Sequence, residues 1–185
     1  MRKTVIILTV ISIFVLISNF VEATDKAEVD AKIKKVASYL DKPEGPGADG
    51  KIMFTLLLEA ILQAAPETGF PPEFTENMEK AKNISDSKSL IHPDGVVYLH
   101  KAYRLVNSGN DFQMPSSISE IQDVVNYVKM ELATARKNLK VGKTDSCVKK
   151  LLEIAVMIVT PLHQKDYSPL NVMNVKQNFG FMKQI

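Results

Sequence analysis

The side chains most able to bind a cofactor or take part in catalysis in this sequence are three histidines and a single cysteine. His92 lies in the turn-forming run Ile-His-Pro-Asp-Gly, where a solvent-facing side chain without a function is expected. His163 follows Pro161 at a predicted helix end, where an imidazolium stabilises the negative pole of a helix. Cys147 has no second cysteine for an intramolecular disulfide, and its position on an apolar helix face predicts a buried structural thiol.

His100 lies on a predicted helix, one turn before Arg104. A helical wheel places it beside the polar face, so we expect it at the boundary between core and solvent. Bundles that bind b-type haem use one histidine and one methionine from different helices, and His100 or His163 with Met157 could supply such a pair. These three residues are therefore the candidate contacts for a haem or another ligand. Covalent c-type attachment is excluded because its Cys-x-x-Cys-His motif needs two cysteines.

Motifs for metal binding and catalysis do not occur in the sequence. The Glu-x-x-His motif of di-iron bundles is missing, since Ser89, Val97 and Thr160 stand three residues before the histidines. The Gly-rich run 41–52 lacks the oxygen ligands of a calcium-binding hand. The turn 142–144 lacks the earlier glycine of a phosphate-binding loop. We therefore predict no cofactor, no metal site and no catalytic residue, and an enzymatic activity is not indicated.

Apolar residues recur at intervals of three and four along most of the chain, which is the period of a helix that buries one face. No run alternates apolar and polar residues between hairpin turns, as a β-strand would. The sequence therefore predicts an all-α fold, an antiparallel bundle of four long helices and one or two short ones. The first four predicted helices cover residues 25–40, 51–65, 71–84 and 93–108.

The second half of the chain predicts a helical hairpin. Its first helix carries an apolar stripe over 118–139, with Ser117 and Glu120 as a capping box. Its second helix, over 148–162, is apolar on every side in its C-terminal half and should be the most buried. Only a short turn at Gly142 separates the two helices, which forces them to run antiparallel. Off the stripe of the first helix lie the two residues expected to meet a second chain, Val124 and Tyr127.

This hairpin resembles tetratricopeptide-type hairpins and those of small exported bundles of the YfdX kind. The resemblance covers the hairpin alone, and residues 25–115 do not show the roughly 34-residue period of a tetratricopeptide array. No family and no site are therefore carried over. The residues that carry the resemblance are Ala135, Leu139, Gly142, Asp145, Leu151, Leu152 and Ala155.

Residues 1–23 have the order of a secretory signal peptide, with a basic start, an apolar middle and the small residue Ala23 at the expected cleavage site. The apolar run is long for a signal peptide and close to the length that spans a bilayer, so an uncleaved membrane anchor is the alternative. In both cases we expect residues 24–185 to be one periplasmic or secreted helical domain, with 164–185 as a C-terminal tail.

The charge of the chain is almost balanced, with 23 Lys and Arg against 21 Asp and Glu. This balance excludes a protein that binds nucleic acid by neutralising its phosphates. The sequence predicts an exported helical bundle that acts by binding or association, with a protein partner or self-association both open. The alternative is a periplasmic carrier that holds haem or a small hydrophobic ligand between the helices around Leu58, His100 and Met157.

If the leader is a signal peptide, mature protein from its own host should begin at Thr24. The variant Ala23→Leu should stay uncleaved because the peptidase needs a small residue before the cut, whereas Glu22→Gln should be processed normally. Intact-mass measurement of the three proteins checks this. A wild-type mass that retains residues 1–23 would show that the leader is an anchor.

Overall fold

A computed structural model describes residues 26–41, 50–118 and 121–160, with Ile121 and Gln122 as backbone only. These residues contain six α-helices and no strand, which confirms the predicted all-α fold for them. The helices are α1 (26–40), α2 (Gly50–Ala64), α3 (Pro72–Ser87), α4 (Pro93–Val106), α5 (Ile121–Lys140) and α6 (Thr144–Val159), with a 3₁₀ turn at Ala65–Glu67 after α2. Outside the described residues lie the predicted leader 1–23, Glu120 of the capping box, Pro161, His163 and the tail 164–185.

Prolines begin two of the helices. Pro72 and Pro93 each occupy the first helical position of their helix, where the missing N–H would have no acceptor within the helix. His92 is the N-cap of α4, since its Nδ1 accepts a hydrogen bond from the backbone N–H of Asp94 at 3.3 Å. The turn position predicted for His92 is therefore right, but its capping role was not foreseen because histidine is not a preferred N-cap residue.

The turn between α5 and α6 is a Schellman motif at Gly142. This glycine has a φ of 73°, in the left-handed region that favours glycine. Its N–H donates to the carbonyl oxygen of Leu139, and the N–H of Lys143 donates to that of Asn138 at 2.9 Å. Both bonds supply a donor to carbonyl groups that the end of α5 would otherwise leave without one. The predicted helix stop at Gly142 is confirmed.

Helix α6 lies at the centre of the structure. It contacts α2, α4 and α5, and every residue of its segment 154–159 is buried. Among the described helices it has the largest buried share, as its apolar surface predicts. Helices α3 and α4 pack closely on each other, and α3 also contacts α2.

The predicted apolar stripes of α1 and α5 face this core. Their side chains within the two helices are buried, namely Val29, Ile33, Val36 and Leu40 of α1 and Val125, Val128, Leu132, Ala135 and Leu139 of α5. Polar contacts join α1 to both neighbours. Arg136 Nε of α5 donates to Asp30 Oδ1 at 2.7 Å, and Lys32 Nζ donates to Gln63 Oε1 of α2 at 2.8 Å. Among the described helices, none combines the length and the apolar character needed to cross a membrane.

Leu132→Ala should lower the free energy of unfolding by about 2–5 kcal/mol, because it leaves a cavity in a closely packed core. Met130 is the matched control, since it lies on the same helix and is 55% exposed. Met130→Ala should change stability by no more than about 0.5 kcal/mol. Urea titration followed by far-ultraviolet circular dichroism measures both, and equal effects would contradict the burial of the α5 stripe.

Candidate functional site

A cavity of about 330 Å³ opens beside α4, near the C-terminal end of α6. Its volume falls at the lower end of the range of roughly 300–1,000 Å³ that small-molecule sites occupy. Half of the lining residues lie on α4, and the others belong to the loop after α4 and to the residue that follows α6. The residues that line it are Val97, His100, Lys101, Arg104, Asp111, Phe112, Gln113 and Thr160.

Two features position these side chains: the helical period of α4, and the loop after α4, which is held against the helix. Val97, Lys101 and Arg104 follow one another at intervals of four and three, so they share one face of α4. The loop after α4 folds back on this face through two contacts. Arg104 Nε donates to Asp111 Oδ1 at 2.5 Å, and the ring of Phe112 packs edge-on against Tyr103, with centroids 5.7 Å apart.

The cavity carries an excess of positive charge. The guanidinium of Arg104 is offset by Asp111, but Lys101 makes no ion pair with any residue that the structure describes. The Lys101 Nζ lies over the ring of Tyr98, 4.9 Å from its centroid. Burial and the positive charge of Arg104 lower the pKa of His100, so the imidazole is mostly neutral at pH 7. At neutral pH the lining therefore has one positive charge without a balancing carboxylate.

Of the predicted site residues that the structure describes, the cavity includes only His100. His100 is half-buried and lines the cavity, in agreement with its predicted boundary position. Met157 and Leu58 are fully buried in the core, and neither is among the lining residues. His163 lies outside the described residues. The cavity instead joins His100 to Lys101, Arg104 and Phe112, which the sequence reasoning did not select. For Lys101 and Arg104, the local signal in the sequence was their helical spacing from Val97. For Phe112 in the loop there was none.

A second, shallower depression lies on the other side of Lys101 and Arg104. It is formed with residues from the start of α3 and the end of α4, and it shares these two basic side chains with the cavity. Lys101 and Arg104 therefore form a ridge between two concave surfaces. The other residues of the depression are Glu73, Asn77, Leu105 and Gly109.

A polar cluster joins α5 to α6. Lys150 Nζ lies 2.7 Å from Glu131 Oε2 and 3.1 Å from Glu153 Oε2, and the Tyr127 hydroxyl donates to Glu153 Oε1 at 3.1 Å. Burial opposes the positive charge of Lys150, but its bonds to the two glutamates raise the net pKa. Burial and the Glu153 carboxylate raise the pKa of Tyr127 to about 12. The lysine stays charged and the tyrosine neutral at pH 7, and the cluster links α5 to α6.

This cluster bears on the residues expected to meet another chain. Tyr127 uses its hydroxyl inside the protein, and Val124 is partly buried and packs against the core. Glu131 is only 7% exposed, and no local sequence pattern indicates its burial. Its partner Lys150 lies 19 positions away in the chain, so no local pattern connects the two.

Two nucleophilic side chains are used structurally. Ser85 Oγ lies 2.5 Å from Lys51 Nζ, the arrangement of a serine activated by a lysine. However, Ser85 is 2% exposed, and the same ammonium donates to the Ser85 carbonyl oxygen at the end of α3. Lys51 thus caps α3 and ties it to α2. Cys147 is fully buried, as its apolar helix face predicts, and burial raises the pKa of its thiol to about 12.

No three side chains of His, Cys, Asp or Glu within the described stretches gather where a metal ion could bind. No family model, no curated protein and no solved structure matches the chain. Its function is therefore inferred from the chemistry of the side chains that line its cavities.

His100 should make the protein less stable in mild acid. Its pKa is lowered in the folded state, so below its ordinary value of 6.5 the unfolded chain takes up a proton more readily than the folded chain. The contribution of neutral His100 to the free energy of unfolding should be fully present above about pH 7 and should decrease as the pH drops through 6.5 toward 5. Thermal melts of wild type and His100→Gln between these values measure the effect.

The variant His100→Gln should show a smaller loss of stability between pH 7 and 5 than wild type. The control Met130→Ala changes an exposed side chain without a titratable group and should retain the wild-type slope. Identical slopes for wild type and His100→Gln would contradict a neutral, half-buried imidazole at this position.

Proposed function

We propose that the protein is an exported helical bundle that acts by non-covalent binding, with the cavity beside α4 as its binding site. The observation that carries this proposal is the composition of the cavity wall. It combines the two apolar side chains Val97 and Phe112 with six polar or charged ones, and convergent polar groups beside an apolar surface are what orient a ligand in small-molecule sites.

The contacts of the helices support an antiparallel bundle as the scaffold. The Schellman turn at Gly142 reverses the chain between α5 and α6, and the two helices pack along each other. Helices α2 and α4 contact other sides of α6. A packed scaffold of this kind holds the face of α4 in place, so the cavity is preformed and little ordering is needed when a ligand binds.

The other polar groups of the core support binding rather than catalysis. Cys147 is buried with a raised pKa. Ser85 is held by a lysine that caps a helix, and the carboxylates of Glu131 and Glu153 are both engaged by Lys150. The cavity, in contrast, presents side chains toward open space. Export is supported by the signal-like order of residues 1–23, which remains a prediction from the sequence.

Native mass spectrometry of mature protein isolated from its own host tests the binding function. We expect a mass above that of the bare chain, with the excess released on denaturation. An absorption scan from the ultraviolet to the red accompanies the measurement, and a Soret band would redirect the proposal to haem. A bare mass under gentle ionisation would count against a small-molecule ligand and would favour association with a protein.

Two substitutions on α4 locate the site. Val97→Trp should fill the mouth of the cavity and abolish the excess mass, because Val97 lines the cavity and is 40% exposed. Leu105→Trp is the matched control, since Leu105 is 42% exposed on the same helix but lines only the second depression. An excess mass that survives Val97→Trp and is lost in Leu105→Trp would place the ligand in that depression.

A further inference from the structure

The charge of the cavity lining narrows the chemistry of its ligand. Lys101 lines the cavity with an ammonium that meets only the face of Tyr98 among the described residues. The one carboxylate in the wall, Asp111, is held by Arg104. A bound cation would therefore face an uncompensated positive charge, whereas a bound anion would complete an ion pair with Lys101.

The apolar part of the wall indicates that the ligand is not a free inorganic ion. Phe112 is 5% exposed and held in place by Tyr103, so it presents a fixed apolar surface. Val97 lies on the same face of α4 as Lys101 and Arg104, and it is 40% exposed. An apolar ligand group that covers Val97 removes its surface from water and gains hydrophobic stabilisation, while Phe112 supplies a fixed apolar contact.

The helix ends near the cavity disfavour a doubly charged anion. Thr160 follows the last residue of α6, and the basic residues of the wall, His100, Lys101 and Arg104, lie in the last two turns of α4. The C-terminal end of a helix carries a partial negative charge, which opposes a dianion more strongly than a monoanion. One uncompensated ammonium also balances one negative charge and not two.

Resting on the binding function proposed above, we infer that the cavity binds a small amphipathic monocarboxylate. Lys101 holds the carboxylate at the ridge, and the apolar body of the ligand lies against Val97 and Phe112. Gln113, also in the wall, supplies a neutral hydrogen-bonding group. Octanoate is a suitable probe for this class because it has one carboxylate and a flexible apolar chain.

Isothermal titration calorimetry of the full-length mature protein compares octanoate with octanol, which has the same chain without the charge. We expect octanoate to bind about tenfold more tightly than octanol, the gain of one charge-assisted hydrogen bond. Lys101→Met should remove this difference by weakening octanoate about tenfold while leaving octanol unchanged. Lys80→Met is the matched control, since Lys80 contacts the same Tyr98 ring from α3 and does not line the cavity.

Several outcomes would overturn the inference. Equal affinities of octanoate and octanol, both lost in Val97→Trp, would refute the carboxylate but leave binding at the cavity intact. Tighter binding of octyl phosphate than of octanoate would show that the site prefers a dianion. Failure of both octanoate and octanol to bind would refute the ligand class, while the host-derived mass spectrum tests the binding function separately. Nuclear Overhauser contacts between Phe112 and residues 161–185 in the ligand-free protein would show that the chain itself fills the cavity.

Discussion

The fold depends on the burial of α6. Its segment 154–159 has apolar side chains on every side, so no orientation of the helix leaves a polar face for water. Such a helix is stable only when other helices enclose it, and α2, α4 and α5 do so. The apolar stripes of those helices are the complementary surfaces. Loss of packing around α6 would therefore affect all of them together.

Polar contacts around this core decide how the helices are placed relative to one another. Apolar stripes alone allow helices to slide and rotate, because the hydrophobic effect has no direction. Arg136 with Asp30 joins α5 to α1, and Lys150 with Glu131 joins α6 to α5. The Asp30 carboxylate accepts its bond from Arg136, which lowers the pKa of Asp30 despite partial burial. Each of these contacts links residues on different helices and so specifies one arrangement.

The cavity follows from the way the chain leaves α4. After Val106 the backbone reverses through Ser108, whose φ is 55°, and Gly109 N–H donates to the carbonyl oxygen of Arg104 at 2.9 Å. The loop then returns along the helix to bring Asp111 and Phe112 against it. A gap remains between this loop, the exposed face of α4 and the end of α6, and it is lined by basic and apolar groups. The same loop that satisfies the end of the helix thus forms one wall of the candidate site.

The sequence by itself determined the secondary structure and much of the core. The three-and-four spacing of apolar residues, the prolines at Pro72 and Pro93, and Gly142 are local features, because they act within one turn of helix or one tight turn. They predicted the described helices to within a few residues of the structure, as well as the buried thiol of Cys147. Histidine spacing likewise excludes a di-iron centre of the Glu-x-x-His type, because none of the three histidines follows a glutamate at that spacing.

Only the tertiary structure decided the site. The wall of the cavity unites residues from 97 to 160, and no periodic pattern relates Thr160 to Lys101. Lysines from other helices likewise meet two buried groups: Lys51 donates to Ser85 Oγ, and the Lys150 ammonium forms an ion pair with Glu131. Met157 was a reasonable ligand by type, but the packing of α6 encloses it. Local periodicity fixes which face of a helix is apolar, whereas a cavity depends on the gaps that remain when several helices and one returning loop pack together.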